Sequence, residues 1–204
     1  GQQYETLQAA VDAVQGSGTI ELTSSIALSD QVTIDSGKTI ILDMNGETLS
    51  IGFSDSSKNL IVNNGTLTIT GDGTFDATEA TSYKGFINNY GTLTVENGTF
   101  QIADKAMTVH LRNQDGGKAV INGGTFSGGA TIVRSFEGSN TTITGGSFTN
   151  SVYPAVDVNG ETLITGGIFT NTSCSRCDSQ NWGYTVRSGV DNDPDAKLTI
   201  TPSS

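Results

Sequence analysis

The chain has 204 residues, 34 % of them hydrophobic, with 26 glycines and a net charge of −11 from 21 acidic and 10 basic residues. A surface of that sign repels phosphate backbones and anionic lipid, which excludes nucleic acid as a partner. No run approaches the 18 apolar residues of a membrane span, which excludes insertion by this segment. So low an apolar fraction would mean disorder if it had no pattern. Here the pattern is strong.

No signal peptide is visible behind Gly1-Gln2-Gln3, and such a start says little about the natural precursor. Leu7, Ala10, Val11 and Val14 fall on one face of a short helix. Thr6 is placed to cap it, and Gly16 and Gly18 to end it. An open solenoid end exposes apolar core and unpaired strand edges, so residues 1–18 are expected to form an N-terminal plug. Strands at 19–22, 32–34 and 39–42 then begin the coils.

From residue 65 the chain repeats itself. Gly65-Thr66-Leu67-Thr68-Ile69-Thr70 runs through a turn to Thr74-Phe75, and Gly91-Thr92-Leu93-Thr94-Val95 runs through Asn97-Gly98 to Thr99-Phe100. Further copies end at Phe126, Phe148 and Phe169, and Lys197-Leu198-Thr199-Ile200-Thr201 begins one that the chain end cuts off. The phenylalanines step by 25, 26, 22 and 21 residues, the length of one solenoid coil. Apolar residues alternate within each unit, as a half-buried strand requires. The Gly-Gly and Asn-Gly pairs supply the corner. Phe75, Phe100, Phe126, Phe148 and Phe169 should therefore form one internal ladder.

A second strand precedes each motif, among them Leu60-Ile61-Val62, Val109-His110-Leu111 and Val156-Asp157-Val158. Aligning these places Asn63, Asn88, Arg112, Arg134, Asn159 and Arg187 in one column, with a hydrogen-bonded asparagine ladder expected at a corner. The fold class is all-β: a right-handed parallel β-helix with a short N-terminal capping helix. It is expected as a single domain over 1–204, its coils filling 19–204 and its last coil truncated.

Leu7-Gln8-Ala9-Ala10-Val11-Asp12-Ala13, Gly18-Thr19-Ile20-Glu21-Leu22 and Ser36-Gly37-Lys38-Thr39-Ile40-Ile41-Leu42-Asp43-Met44-Asn45-Gly46 resemble pectate-lyase-like β-helix domains of bacterial cell-surface, adhesin-type proteins. The resemblance covers nearly the whole chain. It implies the β-helix and an extracellular setting, with attachment to the cell surface through flanking regions. It leaves activity open, because lyases, hydrolases and non-catalytic adhesins share the fold.

The residues argue against catalysis. A hydrolase of this architecture needs clustered aspartates on neighbouring coils, and Asp157 is the only carboxylate in the second-strand columns. Arg112, Arg134 and Arg187 with Asp157 are a thin version of a lyase site. His110 reads as a plain surface residue facing outward from its strand. Asp191, Asp193 and Asp195 gather hard oxygen ligands in one loop, where calcium is conceivable, although a solvated acidic turn explains them as well. No other cofactor is implied.

Cys174 and Cys177 read as a local disulfide stapling the longest loop, with free thiols or metal chemistry as alternatives. Coil insertions at 76–84, 149–155 and 170–183 precede second strands, and in or beside them stand Tyr83, Tyr153, Trp182 and Tyr184. Aromatics there suit stacking on sugar rings, and packing is the alternative. Arg112 and Arg134 on adjacent coils, with Arg187, suit charge-assisted pairing to a carboxylated sugar, or plain turn-capping. Threonines 66, 68, 92, 94, 142 and 199 face outward, but Lys118, Val120, Glu161 and Leu163 break the flat array that ice binding needs. The expected function is a non-catalytic adhesion module whose partner is a polysaccharide or a host surface protein. A passive stalk and a divergent polysaccharide lyase or hydrolase are the alternatives.

Overall fold

The computed structural model describes residues 1–79, 85–103, 108–150, 153–171, 185–189 and 196–201. Helix α1 (Leu7–Ala13) is followed by β1 (Ser17–Glu21), β2 (Ile26–Leu28), β3 (Val32–Ile34), β4 (Thr39–Asp43), β5 (Thr48–Ile51) and β6 (Ile61–Asn63). Next come β7 (Thr66–Thr70), β8 (Thr74–Ala77), β9 (Gly85–Asn89), β10 (Thr92–Val95), β11 (Thr99–Ile102) and β12 (Val109–Asn113). The series runs on through β13 (Lys118–Ile121), β14 (Thr125–Ser127), β15 (Thr131–Ser135), β16 (Asn140–Ile143), β17 (Ser147–Asn150) and β18 (Val156–Val158). It closes with β19 (Glu161–Ile164), β20 (Ile168–Asn171), β21 (Val186–Ser188) and β22 (Lys197–Ile200).

Every third strand falls in the same sheet. Sheet A holds β1 and each third strand to β22, sheet B runs from β2 to β20, and sheet C from β3 to β21. The pairings are parallel, so each turn of chain lays three strands directly against those of the turn before. This is a parallel β-solenoid.

Period-two alternation fills its interior. Leu42, Ile69, Val95, Ile121, Ile143 and Ile164 line the inner face of sheet A, and all are buried. On sheet B the expected ladder forms: Phe75, Phe100, Phe126, Phe148 and Phe169 stack with centroids 4.7, 4.5, 5.0 and 4.7 Å apart and ring planes within 9°. That spacing follows the roughly 4.8 Å between paired strands. The rings can keep it because the corner ahead of them is made by Gly98, Gly124, Gly146 and Gly167 with φ between 98° and 114°. Other residues are strained at such a φ.

The expected N-terminal helix also forms. Thr6 Oγ1 accepts from the Ala9 N–H at 3.1 Å, and Leu7, Ala10 and Val11 are buried. The helix ends at Val14, in extended geometry, rather than at a glycine. Lys38 reaches over from the coil beneath, its Nζ donating to the carbonyls of Val11, Asp12 and Val14 at 2.8, 3.0 and 2.9 Å. A cation among carbonyls at a helix C-terminus opposes the negative end of the dipole. Gln8 then closes the edge of sheet C: its amide donates to Thr33 O at 3.2 Å and accepts from Thr33 N at 2.7 Å. One side chain thus does for β3 what a further strand would do.

Candidate ligand-binding face

Sheet C departs from the repeat on its outer face. Asn88 pairs in register with Arg112, Arg112 with Arg134, Arg134 with Asp157, and Asp157 with Arg187. Two residues on, period two returns the chain to the same face. There Tyr90, Gln114, Phe136 and Asn159 follow one another on successive coils, each backbone N–H bonded to the coil before. The face is therefore two columns wide, with cations in one and aromatic or amide groups in the other.

This register corrects the column read from sequence. Asn88, Arg112, Arg134 and Arg187 share it, but Asn63 and Asn159 do not. Asn63 pairs with Asn89, which pairs with Asn113, on the inner face. Asn63 Nδ2 donates to Asn89 Oδ1 at 2.7 Å and Asn89 Nδ2 to Asn113 Oδ1 at 2.8 Å. Asn113 Nδ2 passes the chain to Thr141 Oγ1 at 2.9 Å, and the same amides also donate to the carbonyls of Thr92, Lys118 and Asn140. The asparagine ladder exists, but it is buried and satisfies corner carbonyls. Aligning Asn63 with Asn88 instead of Asn89 slips the strand by one residue, and one residue exchanges the two faces.

Arg112 and Arg134 lie over the Phe136 ring, their guanidinium carbons 5.1 and 5.0 Å from its centroid. A ring between two cations holds both in place by its quadrupole. Arg134 Nε stands 3.6 Å from Asp157 Oδ2 and makes no hydrogen bond. Arg187 grips Asp157 with Nε and Nη2 at 3.2 and 3.2 Å to Oδ1, and Nη2 at 3.3 Å to Oδ2. Burial, and then the neighbouring Arg134 charge, press the Arg112 pKa below its ordinary value. Among the described residues the cluster brings three guanidiniums to one carboxylate, on a chain whose net charge is −11. Around it Gln114 donates to Asn88 Oδ1, and Asn88 donates to the hydroxyl of Tyr90, a side chain left 48 % exposed.

His110 requires the second correction. It does not face solvent but is 1 % exposed, in a buried column with Leu60, Phe86, Ile132 and Ala155. Its ring lies 5.5 Å from Phe86 and edge-on to Phe126 at 5.9 Å. Strands β9 and β12 pair on either side of this position but not at it, so the alternation breaks where the chain rounds the corner from sheet B. His110 Nε2 meets Gly128 O at 3.2 Å and Nδ1 has no partner; desolvation lowers its pKa to about 4. The imidazole is a neutral core residue.

Of the loop aromatics, Tyr153 is half-buried just ahead of β18, its N–H bonded to Ala130 O. Tyr83, Trp182, Tyr184, the Cys174–Cys177 pair and Asp191, Asp193 and Asp195 lie outside the described residues. Tyr90, Gln114 and Phe136 were missed in the sequence. Their signal was the i+2 spacing from Asn88, Arg112 and Arg134, which identifies them once the register is known. Among the described residues no helix is long and apolar enough to cross a membrane. No family model, curated protein or solved structure matches this chain.

Proposed function

We propose that the chain is a non-catalytic recognition module of an extracellular, surface-attached protein, binding an anionic polysaccharide along the outer face of sheet C. The observation that carries this reading is the pair of guanidiniums on adjacent coils, ordered against Phe136 and flanked by Tyr90, Asn88 and Gln114. Guanidiniums offer several N–H groups in a fixed plane to a carboxylate, sulfate or phosphate. Tyr90 offers a ring for a sugar to stack on. The coil repeat of about 4.8 Å sets these groups in a line along the solenoid, as suits a polymer rather than a single small molecule.

Two features favour binding over turnover. Asp157 is held by Arg187 and faces Arg134, so its charge is already committed. His110 is enclosed by phenylalanines, away from any solvent-borne substrate. The test is a glycan array probed with the wild-type domain and with Arg112→Gln/Arg134→Gln. Hits confined to acidic glycans that weaken at least tenfold in the variant would support the reading. A blank array for both proteins would sink it in favour of a stalk or a protein ligand, and shortened or unsaturated products would show an enzyme.

A further inference from the structure

We infer that the ligand carries a free vicinal diol beside its acidic group, because Tyr90, Asn88 and Gln114 form a second subsite that reads two neighbouring hydroxyls. The inference rests on the reading just proposed and narrows its ligand to acidic sugars left unsubstituted at two adjacent carbons.

The subsite is made by one buried amide and two outward side chains. Tyr90 directly follows β9 and Gln114 directly follows β12. Their N–H groups bond to the carbonyls of Asn63 and Asn89 at 2.8 Å each, so the two hold equivalent positions on adjacent coils. Paired coils stand about 4.8 Å apart. Asn88, 9 % exposed, links the pair. Gln114 Nε2 donates to Asn88 Oδ1 at 2.5 Å, and Asn88 Nδ2 donates to the Tyr90 hydroxyl at 3.3 Å. The Asn88 amide is thereby engaged at both ends, as a buried amide requires.

The relay leaves one donor and one acceptor open. The Tyr90 O–H hydrogen is the donor and Gln114 Oε1 the acceptor. Neither has a further hydrogen-bonding partner among the described residues. Both are within reach of a ligand: Tyr90 is 48 % exposed, and Gln114 is half-buried with an Oε1 that is not enclosed. Turning both amides round reverses the relay, so that Tyr90 donates to Asn88 and Asn88 to Gln114. Gln114 Nε2 is then the free donor and the Tyr90 oxygen the free acceptor. Either way the two coils offer a donor and an acceptor side by side.

Two adjacent hydroxyls on a sugar ring match both arrangements, because each is donor and acceptor at once. Gln114 Oε1 alone takes two hydrogens, and a lone hydroxyl has one to give. An acetamido group fits less well. Its N–H and C=O leave opposite edges of a planar trans amide, so it cannot meet both groups from one side. Asn88 pairs in register with Arg112, which sets the diol beside the anion site. The acid and the diol therefore belong to one sugar or to two successive ones.

The test uses an array of acidic glycans, hyaluronan and chondroitin sulfate among them. Each is printed intact and again after periodate oxidation and borohydride reduction. That treatment opens the uronate ring at its diol and keeps carboxylate, sulfate and acetamide. Wild type, Tyr90→Phe and Gln114→Leu are compared, each checked for fold by circular dichroism. Tyr90→Phe keeps the ring and removes only an exposed hydroxyl, which makes it the safer variant for folding. The expected preference of wild type for intact glycan is about tenfold or more, as two neutral hydrogen bonds supply. Both variants should lose most of that preference while binding the oxidised glycans as wild type does. A relay that only holds the fold together would weaken both forms alike and keep the preference, which would overturn the subsite. Equal binding of intact and oxidised forms by wild type, or hits confined to glycans without a diol, would overturn it and leave the anion site standing. A blank array for wild type would overturn both.

Discussion

Sheets A and C are made by the same coils, yet their outer faces carry different groups. On sheet A the outward residues of β7 and β10 repeat, Thr66 beside Thr92 and Thr68 beside Thr94, before giving way to Lys118 and Val120 and then to Asn140 and Thr142, with no arginine or aromatic ring among them. On sheet C they change at each coil, from Asn88 through two arginines to Asp157 and Arg187. One inner column of each sheet stays aliphatic, Leu42 to Ile164 on sheet A and Ile61 to Val156 on sheet C. Stacking is thus carried inside, and an outer face is free to vary wherever it has another task. The substitutions below sharpen or break this contrast.

The largest effect should come from the interior. Phe126→Ala removes the middle ring of a ladder in which both neighbours stack within 5.0 Å. A loss of about 3–5 kcal/mol is expected for a large aromatic in a close-packed core, read as the midpoint of urea unfolding. A loss below that of an outer-face change would contradict the division between inside and outside.

Next comes acid sensitivity through His110. Its folded pKa of about 4 lies below the ordinary 6.5, so the unfolded chain takes up the proton first as pH falls. Its stabilising contribution is therefore complete above pH 6.5, declines between 6.5 and 4, and is absent below 4. At about 1.4 kcal/mol per unit the decline is on the order of 3 kcal/mol. His110→Phe, which keeps an aromatic ring beside Phe86 and Phe126, should lose correspondingly less stability between pH 7 and 4.5. Equal losses in the two proteins would show that the imidazole is not held neutral.

Asn89→Ala should cost about 1–3 kcal/mol. It opens the buried ladder at its centre and leaves the Lys118 carbonyl without its side-chain donor. The smallest effect belongs to sheet A: Thr94→Val, half-buried on the outer face, should change stability by no more than about 0.5 kcal/mol. It should leave glycan binding untouched. A loss of binding there would move the recognition surface to the wrong sheet.

Much of the solenoid was legible in the sequence because its signals are local and recur. The phenylalanine spacing, the glycine pairs and the alternation each define one coil, and agreement among copies fixes the stacking. The N-terminal helix was legible through Thr6 and its apolar face, although the contacts of Lys38 and Gln8 act across 24 to 27 residues without a local pattern. Sheet C was harder. Asn88-Asn89 offers two alignments to Asn63, and the choice between them is made by buried carbonyls that no pattern of side chains reveals. His110 misled for a related reason, since alternation predicts its side only while the strand remains regular. The arginine column survived the slip, but its aromatic companions emerged only with the register.

The parallel stacking also has a mechanical consequence. Hydrogen bonds between coils lie along the solenoid axis, so tension applied between the two chain ends peels the terminal coils first. The bonds then break in succession, as in a zip, at forces lower than a sheet pulled along its strands would bear. Each coil that peels off, 21 to 26 residues by the phenylalanine steps, releases roughly 70–90 Å of chain. A module of this form under tension lengthens stepwise and dissipates work at each step, while the coils still stacked keep their shape.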